Sequence, residues 1–209
     1  MNQLPKLIFI SDGESYQSQI DSIKYALAGG VQWVQLRCKN FELDELEGLA
    51  LEVQEMCTEF GAMLSINDHP ELALKILAEG VHLGKNDMPL NQAKQLIGEN
   101  LILGATANTF DDIKVANEKG VDYVGLGPFK FTNTKKNLSP VLGFNGFESA
   151  LALMRENNIN VPVYAIGGLT IEDVDSLLNI GVYGFAVSSA ITKTHSPSKE
   201  AEKWVQKLS

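Results

Sequence analysis

Cysteine is nearly absent: Cys38 and Cys57 are the two that the 209 residues contain. They form no C-x-x-C pair and no Cys/His cluster with zinc spacing, which argues against a disulfide framework and a structural zinc and leaves reduced thiols as the expected state. Histidine is almost as scarce, with His69 between Asp68 and Pro70, His82 inside an apolar run and His195 in a Ser/Pro connection. None has the spacing of a metal ligand or of a nucleophile and its base, so each is read as structural or solvent-exposed, and no Ser/His/Asp or Cys/His arrangement is visible. Any reaction should then need no protein nucleophile. Basic side chains are also in deficit, 17 against 26 acidic ones, for a net charge of -9. With no long basic run either, no nucleic-acid partner is expected, and positive charge that serves an anionic ligand must be local. Long apolar runs are missing too. Leu7–Ile10 is too short for a signal-peptide core, and nothing approaches the roughly 20 residues that span a bilayer, so no membrane partner and a cytoplasmic location are expected.

What is present is a regular alternation. Hydrophobic residues make up 44% of the chain, enough for one core, and residues 1–209 are expected to form a single domain. Short apolar runs predict strands at Leu7–Ile10, Trp33–Arg37, Met63–Ile66, Gly80–Leu83, Leu101–Ala105, Tyr123–Leu126, Val163–Ile166 and Gly184–Val187. Helical spacing predicts helices at Gln17–Ala28, Leu43–Phe60, Glu71–Ala78, Leu90–Ile97, Asp111–Lys119, Phe147–Asn157, Ile171–Asn179 and Lys199–Leu208. Thr109 and Thr170 read as N-caps, and Gly29, Gly61, Gly120 and Gly181 follow helix ends where a left-handed backbone is wanted. Strand then helix, repeated, gives α/β with a parallel sheet. A doubly wound open sheet has the same local look, but it concentrates ligand residues at one switch point. Here nearly every strand from the second to the eighth ends in polar, charged or glycine residues, which favours a single (β/α)8 TIM barrel that gathers all strand ends at one face. The long stretch from Gly127 to Gly143 lacks obvious secondary structure and is read as an active-site lid.

The strand ends carry the chemistry. Gly167-Gly168 after the seventh strand and Ser188-Ser189 after the eighth stand where barrels build phosphate cradles, glycine allowing close backbone approach to an oxyanion. Gln35, Arg37 and Lys39 alternate along the end of the second strand, on the face of the pleat that also holds Trp33, while Val34 and Leu36 point the other way. An Arg fork beside a Lys point charge suits a polyphosphate. Asn67-Asp68 closes the third strand and Asp87 follows the fourth. Carboxylates from adjacent strands beside a polyphosphate are the oxygen-rich surroundings that hold Mg2+, although helix capping is a competing reading for each aspartate.

Taken in order and spacing, several stretches together resemble the thiamin phosphate synthase family over nearly the whole chain. They are Val34-Gln35-Leu36-Arg37 with Lys39, Ile66-Asn67-Asp68 followed by Glu71-Leu72-Ala73-Leu74, Gly80-Val81-His82-Leu83-Gly84 with Asp87, Leu103-Gly104, Asp122-Tyr123-Val124-Gly125-Leu126-Gly127-Pro128, Thr132 with Thr134-Lys135-Lys136, Ala165-Ile166-Gly167-Gly168, and Ser189-Ala190-Ile191. The resemblance implies a barrel enzyme that joins 4-amino-2-methyl-5-hydroxymethylpyrimidine diphosphate to 4-methyl-5-(2-hydroxyethyl)thiazole phosphate, releasing diphosphate with Mg2+. It implies that Gln35, Arg37, Lys39, Asn67 and Lys135 face the pyrimidine diphosphate, with Arg37, Lys39 and Lys135 stabilising its departing charge. Asp68 and Asp87 would hold the metal. Thr106, Thr132 and Thr134 would face the thiazole phosphate, which would also rest on Gly168 and Ser189. A homo-oligomer is also implied by the resemblance.

The chain departs from the family pattern at Cys38 (usually Glu), Lys85 (Gln), Thr106 (Ser), Asn108 (His), Phe131 (Pro) and Tyr183 (Asp). Thr106 keeps its hydroxyl. Lys85 and Lys130 are expected to add positive charge near the site. Two rivals are weighed: a thiazole tautomerase on the same fold, and a non-catalytic barrel that binds a phosphate ligand. Both are expected to lack the combined set of Arg37, Lys39, Asn67, Asp68, Asp87 and Lys135.

Overall fold

A computed structural model describes residues 3–132 and 139–209. Eight parallel strands, β1 (Leu7–Ile10), β2 (Trp33–Leu36), β3 (Met63–Asn67), β4 (Gly80–Leu83), β5 (Ile102–Ala107), β6 (Tyr123–Leu126), β7 (Val163–Ile166) and β8 (Gly184–Val187), follow one another in chain order and close β8 onto β1. Helices α1 (Tyr16–Ala28), α2 (Leu43–Phe60), α3 (Pro70–Lys75), α4 (Leu90–Ile97), α5 (Phe110–Glu118), α6 (Gly143–Glu156), α7 (Val174–Asn179), α8 (Ser189–Thr192) and α9 (Pro197–Leu208) surround it. The expected TIM barrel is thus observed.

Most strand residues are apolar on both sides because both faces are covered. Outward-facing side chains such as Val34, Leu36, Leu64 and Ile66 join the layer between strands and helices. The barrel interior is a smaller, separate core of Ile8, Ile10, Trp33, Tyr123, Tyr164 and Ala186. Its three rings meet edge to face, with centroids 5.0 Å apart for Trp33 and Tyr123, 5.7 Å for Trp33 and Tyr164, and 5.2 Å for Tyr123 and Tyr164. Rings of this size fit because glycine stands beside them. Gly104 pairs with Tyr123 and Gly184 with Tyr164, and a Cβ on Gly184 would come within 2.6 Å of the Tyr164 ring. The polar tips are met as well: Trp33 Nε1 donates to Ser65 Oγ at 2.7 Å, and Tyr164 and Tyr183 hydroxyls donate to the carbonyls of Pro5 and Leu4 at 2.7 and 2.6 Å. Tyr183 therefore ties the chain's start to the N-terminal mouth of the barrel, away from the strand ends.

Thr109 and Thr170 cap as expected, each in a reciprocal capping box with the aspartate three residues on. Gly61, Gly120 and Gly181 have positive φ, but Gly29 does not (φ -85°); the left-handed residue is Gly30 (φ 88°). Gly29 is needed for contact instead, since a Cβ there would lie 2.5 Å from the Ser198 carbonyl on α9. The short helix α8 was not expected; four residues are too few to display a period. α6 begins at Gly143, earlier than its apolar spacing suggested. In the 127–143 connection, Phe129 and Lys130 donate backbone N–H groups to the Ile166 and Gly167 carbonyls, both at 2.9 Å, and Leu142 and Gly143 return to Pro128 and Phe129. Its two ends are thereby fixed to β7 and to each other.

Candidate active site

Residues from the C-terminal end of every strand line one pocket that is open to solvent at its mouth. Gln35, Arg37, Lys39, Asn67, Asp68, Asp87, Thr106, Thr132, Gly168, Ser188 and Ser189 all line it. Thr134 and Lys135 lie outside the described residues.

β2 ends at Leu36, one residue sooner than expected, yet the alternation that aims Trp33 and Gln35 inward carries on to Arg37 and Lys39. Gln35 is buried and donates from Nε2 to Asn67 Oδ1 at 2.8 Å, which fixes both amides against each other. The Arg37 backbone N–H donates to Ser11 Oγ at 3.0 Å, anchoring the strand end. Among the described residues neither Arg37 nor Lys39 belongs to a salt bridge, so both cations remain for a ligand.

Neither aspartate caps a helix. The residue preceding α3 is His69 and that preceding α4 is Pro89, with no side-chain cap at either. Asp68 has a left-handed backbone (φ 70°), uncommon for a non-glycine residue, and its N–H donates to the His82 carbonyl at 2.9 Å. Asp87 Oδ2 accepts the Gly84 N–H at 2.6 Å. From these positions the Asp87 carboxyl acts on that of Asp68. Burial first, and then Asp87, push the Asp68 carboxyl up to about 6, against the lowering effect of Lys39 and Arg37. Where one carboxyl favours protonation of its neighbour, a cation can take the place of that proton. Among the described residues no group of three or more such ligands exists. A pair supplemented by water and substrate oxygens suits Mg2+, which seldom uses an all-protein cage. The residues present fit that ion.

Opposite stand the glycines and serines. Gly167 and Gly168 have φ 94° and 66°, and a Cβ on Gly168 would lie 2.7 Å from the Phe131 carbonyl and 2.8 Å from Lys130 Cβ. Both conformation and proximity therefore demand glycine. The Ser188 hydroxyl oxygen is buried with no hydrogen-bond partner among the described residues.

Two expectations need correction. Lys85 and Lys130 do not line the pocket: Lys85 Nζ is 2.5 Å from Asp112 Oδ2 and Lys130 Nζ is 2.7 Å from Asp173 Oδ1, so both charges are neutralised outside it. Conversely His82, set aside on spacing grounds, does line it and contacts Thr106 at 3.0 Å. Its signal was available in Gly80, His82 and Gly84, which alternate on the face opposite to Val81 and Leu83. Asn108 lines the pocket too, held by its side-chain N–H to the Gly127 carbonyl at 2.5 Å. Cys38 is half-buried, and burial pushes its thiol up to about 12, which keeps it protonated.

Comparison with known proteins gives a consistent picture. A family model described as thiamine monophosphate synthase matches residues 7–191. The thiamine-phosphate synthase of Phocaeicola vulgatus is 46% identical over 198 residues, covering 95% of each chain. That of Bacteroides thetaiotaomicron is 48% identical over 197 residues, covering 94% of each. Among solved structures, a thiamine phosphate pyrophosphorylase from Pyrococcus furiosus aligns with a TM-score of 0.82 at 30% identity over 97% of this chain and 96% of that one. A 3-hexulose-6-phosphate synthase aligns with a TM-score of 0.74 at 14% identity, over 98% of this chain and 100% of its own, a likeness of fold alone.

Proposed function

Since the chain belongs to the thiamine monophosphate synthase family and is a transferase, we propose that it couples 4-amino-2-methyl-5-hydroxymethylpyrimidine diphosphate to 4-methyl-5-(2-hydroxyethyl)thiazole phosphate in a Mg2+-dependent reaction that gives thiamin phosphate and diphosphate. The observation that carries this reading is that the Asp68/Asp87 pair and the Arg37 and Lys39 cations face one pocket, close enough for both cations to act on Asp68. A thiazole tautomerase or a simple phosphate-binding barrel has no use for that combination.

The reaction asks little of the protein as a nucleophile. Diphosphate leaves an electron-rich pyrimidine methylene, and the thiazole nitrogen attacks with a lone pair that no base has to unmask. What the chain must supply is stabilisation of departing negative charge. Arg37 offers a bidentate fork and Lys39 a point charge, groups worth several kcal/mol when they are already in place as the charge develops. Bound to Asp68 and Asp87, Mg2+ would neutralise further diphosphate charge. Lys135 is assigned to the same task by its place in the family motif. Gln35 and Asn67, locked together, orient the pyrimidine end. Thr106, Thr132, Thr134, Gly168, Ser188 and Ser189 hold the thiazole phosphate, which fixes the two reactants at short range. The test is direct: purified protein with both substrates should produce thiamin phosphate, read as thiochrome fluorescence, only when Mg2+ is present. Turnover of the thiazole phosphate alone would favour the tautomerase, and binding without turnover the non-catalytic barrel.

A further inference from the structure

Beneath the thiazole side of the pocket lies a row of side chains that fixes the direction of one hydrogen bond. Tyr123 on β6 pairs with Gly104 on β5, and Gly104 pairs with His82 on β4. Because Gly104 has no side chain, the Tyr123 ring lies across β5; a Cβ on that glycine would sit 2.5 Å from the phenol oxygen. Thus Tyr123 reaches past its neighbouring strand to His82 Nδ1, at 3.1 Å, and His82 Nε2 reaches Thr106 Oγ1 at 3.0 Å. Thr106 and His82 line the pocket, while Tyr123 is buried behind them.

Each donor decides the next. Burial, reinforced by the neighbouring Asp122 charge, pushes ionisation of the Tyr123 phenol upward, so it keeps its proton. A buried phenol needs an acceptor, and the side chain it meets is His82 at Nδ1. An imidazole that accepts at Nδ1 carries its proton on Nε2. That N–H then occupies a lone pair of Thr106 Oγ1 and leaves the threonine proton to point elsewhere.

We propose that Tyr123 is a positioning residue for the bound phosphorylated substrate: by selecting the tautomer of His82, it makes the Thr106 hydroxyl a donor directed into the pocket. Phosphate oxygens near neutral pH only accept, so a hydroxyl turned the other way would face the ligand with a lone pair. This rests on the thiamin phosphate synthase reading for the identity of the ligand, but the tautomer and the direction of the relay do not depend on it.

Two measurements test the relay. In a His69→Gln/His195→Gln protein, His82 is the remaining imidazole, and long-range 1H–15N correlation at pH 7.5 is expected to find Nε2 protonated and Nδ1 bare. A proton on Nδ1, or on both nitrogens, overturns the proposal without reference to any activity. The second is a double-mutant cycle on kcat/KM for thiamin phosphate formation. Tyr123→Phe keeps the ring and is expected to lower it about 10-fold, the scale of one hydrogen bond. Thr106→Val should lower it at least as much, and Thr106→Ser should stay near wild type. Once Thr106 is Val, adding Tyr123→Phe should cost less than about 2-fold, because Tyr123 acts through that hydroxyl. Independent, additive losses would instead mean that Tyr123 only packs the barrel. If the protein forms no thiamin phosphate, the cycle is run on affinity for inorganic phosphate with the same criteria.

Discussion

Asp87 accepts the Gly84 N–H at 2.6 Å, which holds its carboxyl in the pocket where it acts on that of Asp68, at the end of the adjacent strand. Without a cation, such a pair opposes itself at neutral pH. Asp87→Asn keeps an oxygen for Gly84 and removes the repulsion. In the absence of Mg2+ this variant should melt no lower than wild type, while its kcat/KM falls by at least about 100-fold, a loss on the scale of an electrostatic group aimed at developing charge. A melting temperature many degrees lower, with kcat/KM unchanged, would make Asp87 a structural turn residue instead.

The raised Asp68 carboxyl gives a pH dependence whose sign can be worked out. Its folded value of about 6 lies above the ordinary 3.8. Between those values the folded chain holds more proton than the unfolded one, so this group's contribution to stability falls as pH rises through 6 and is fully unfavourable above it. A divalent cation removes that handicap by replacing the proton. Addition of Mg2+ should therefore raise the melting temperature more at pH 8 than at pH 5.5, and Asp68→Asn should flatten the difference. An equal Mg2+ shift at both pH values in the wild type would count against binding at this pair.

How much of this was legible in the sequence varies with the range of the interaction. Period-two alternation is local, so Trp33 and Gln35 against Val34 and Leu36 could be sorted to opposite faces, and the strand-end residues Gln35, Arg37, Lys39, Asn67, Asp68, Asp87, Gly167, Gly168, Ser188 and Ser189 all line the pocket. Capping is local too, which is why Thr109 and Thr170 were readable. Partnerships across the fold were not. Lys130 and Asp173 are 43 positions apart, so the lysine's charge looked available when it was committed to a neighbour brought in by β7. His82 was hidden for a similar reason: its partners Tyr123 and Thr106 lie 41 and 24 positions on. Gly29 looked like a helix stop because the helix ends there, whereas the approach of α9, which really requires it, has no trace in nearby residues.

The interior rings make Gly104 a position at which one methyl group is expected to matter. A Cβ there meets the Tyr123 phenol oxygen at 2.5 Å, and the ring has little freedom because Trp33 and Tyr164 pack against it at 5.0 and 5.2 Å. Gly104→Ala should destabilise the fold by about 1–3 kcal/mol, the usual cost of overpacking, or more if the barrel cannot adjust. Urea unfolding measures this. Pairing it with Tyr123→Leu, which empties that space, should recover part of the loss; no recovery would mean that the clash lies with the backbone.

Lys130 tests whether charge outside the pocket contributes to the site. Its ammonium lies between the two oxygens of Asp173, both at 2.7 Å, and is half exposed. That carboxylate also accepts the Thr170 N–H at 2.9 Å, so the pair staples the segment after Phe129 to the turn that follows Gly168. An exposed ion pair is worth about 0–1 kcal/mol and is screened by salt. Lys130→Met should accordingly lower the melting temperature by no more than about 4 °C for a chain of this size, less in 0.5 M salt, and should leave KM for both substrates within about 2-fold. Arg37→Met, which removes a pocket cation that is in no salt bridge among the described residues, should raise KM for the diphosphate substrate or lower kcat by far more. If Lys130→Met instead weakened diphosphate binding as strongly as Arg37→Met, the ion pair with Asp173 would have to open in the working enzyme and Lys130 would belong to the site after all.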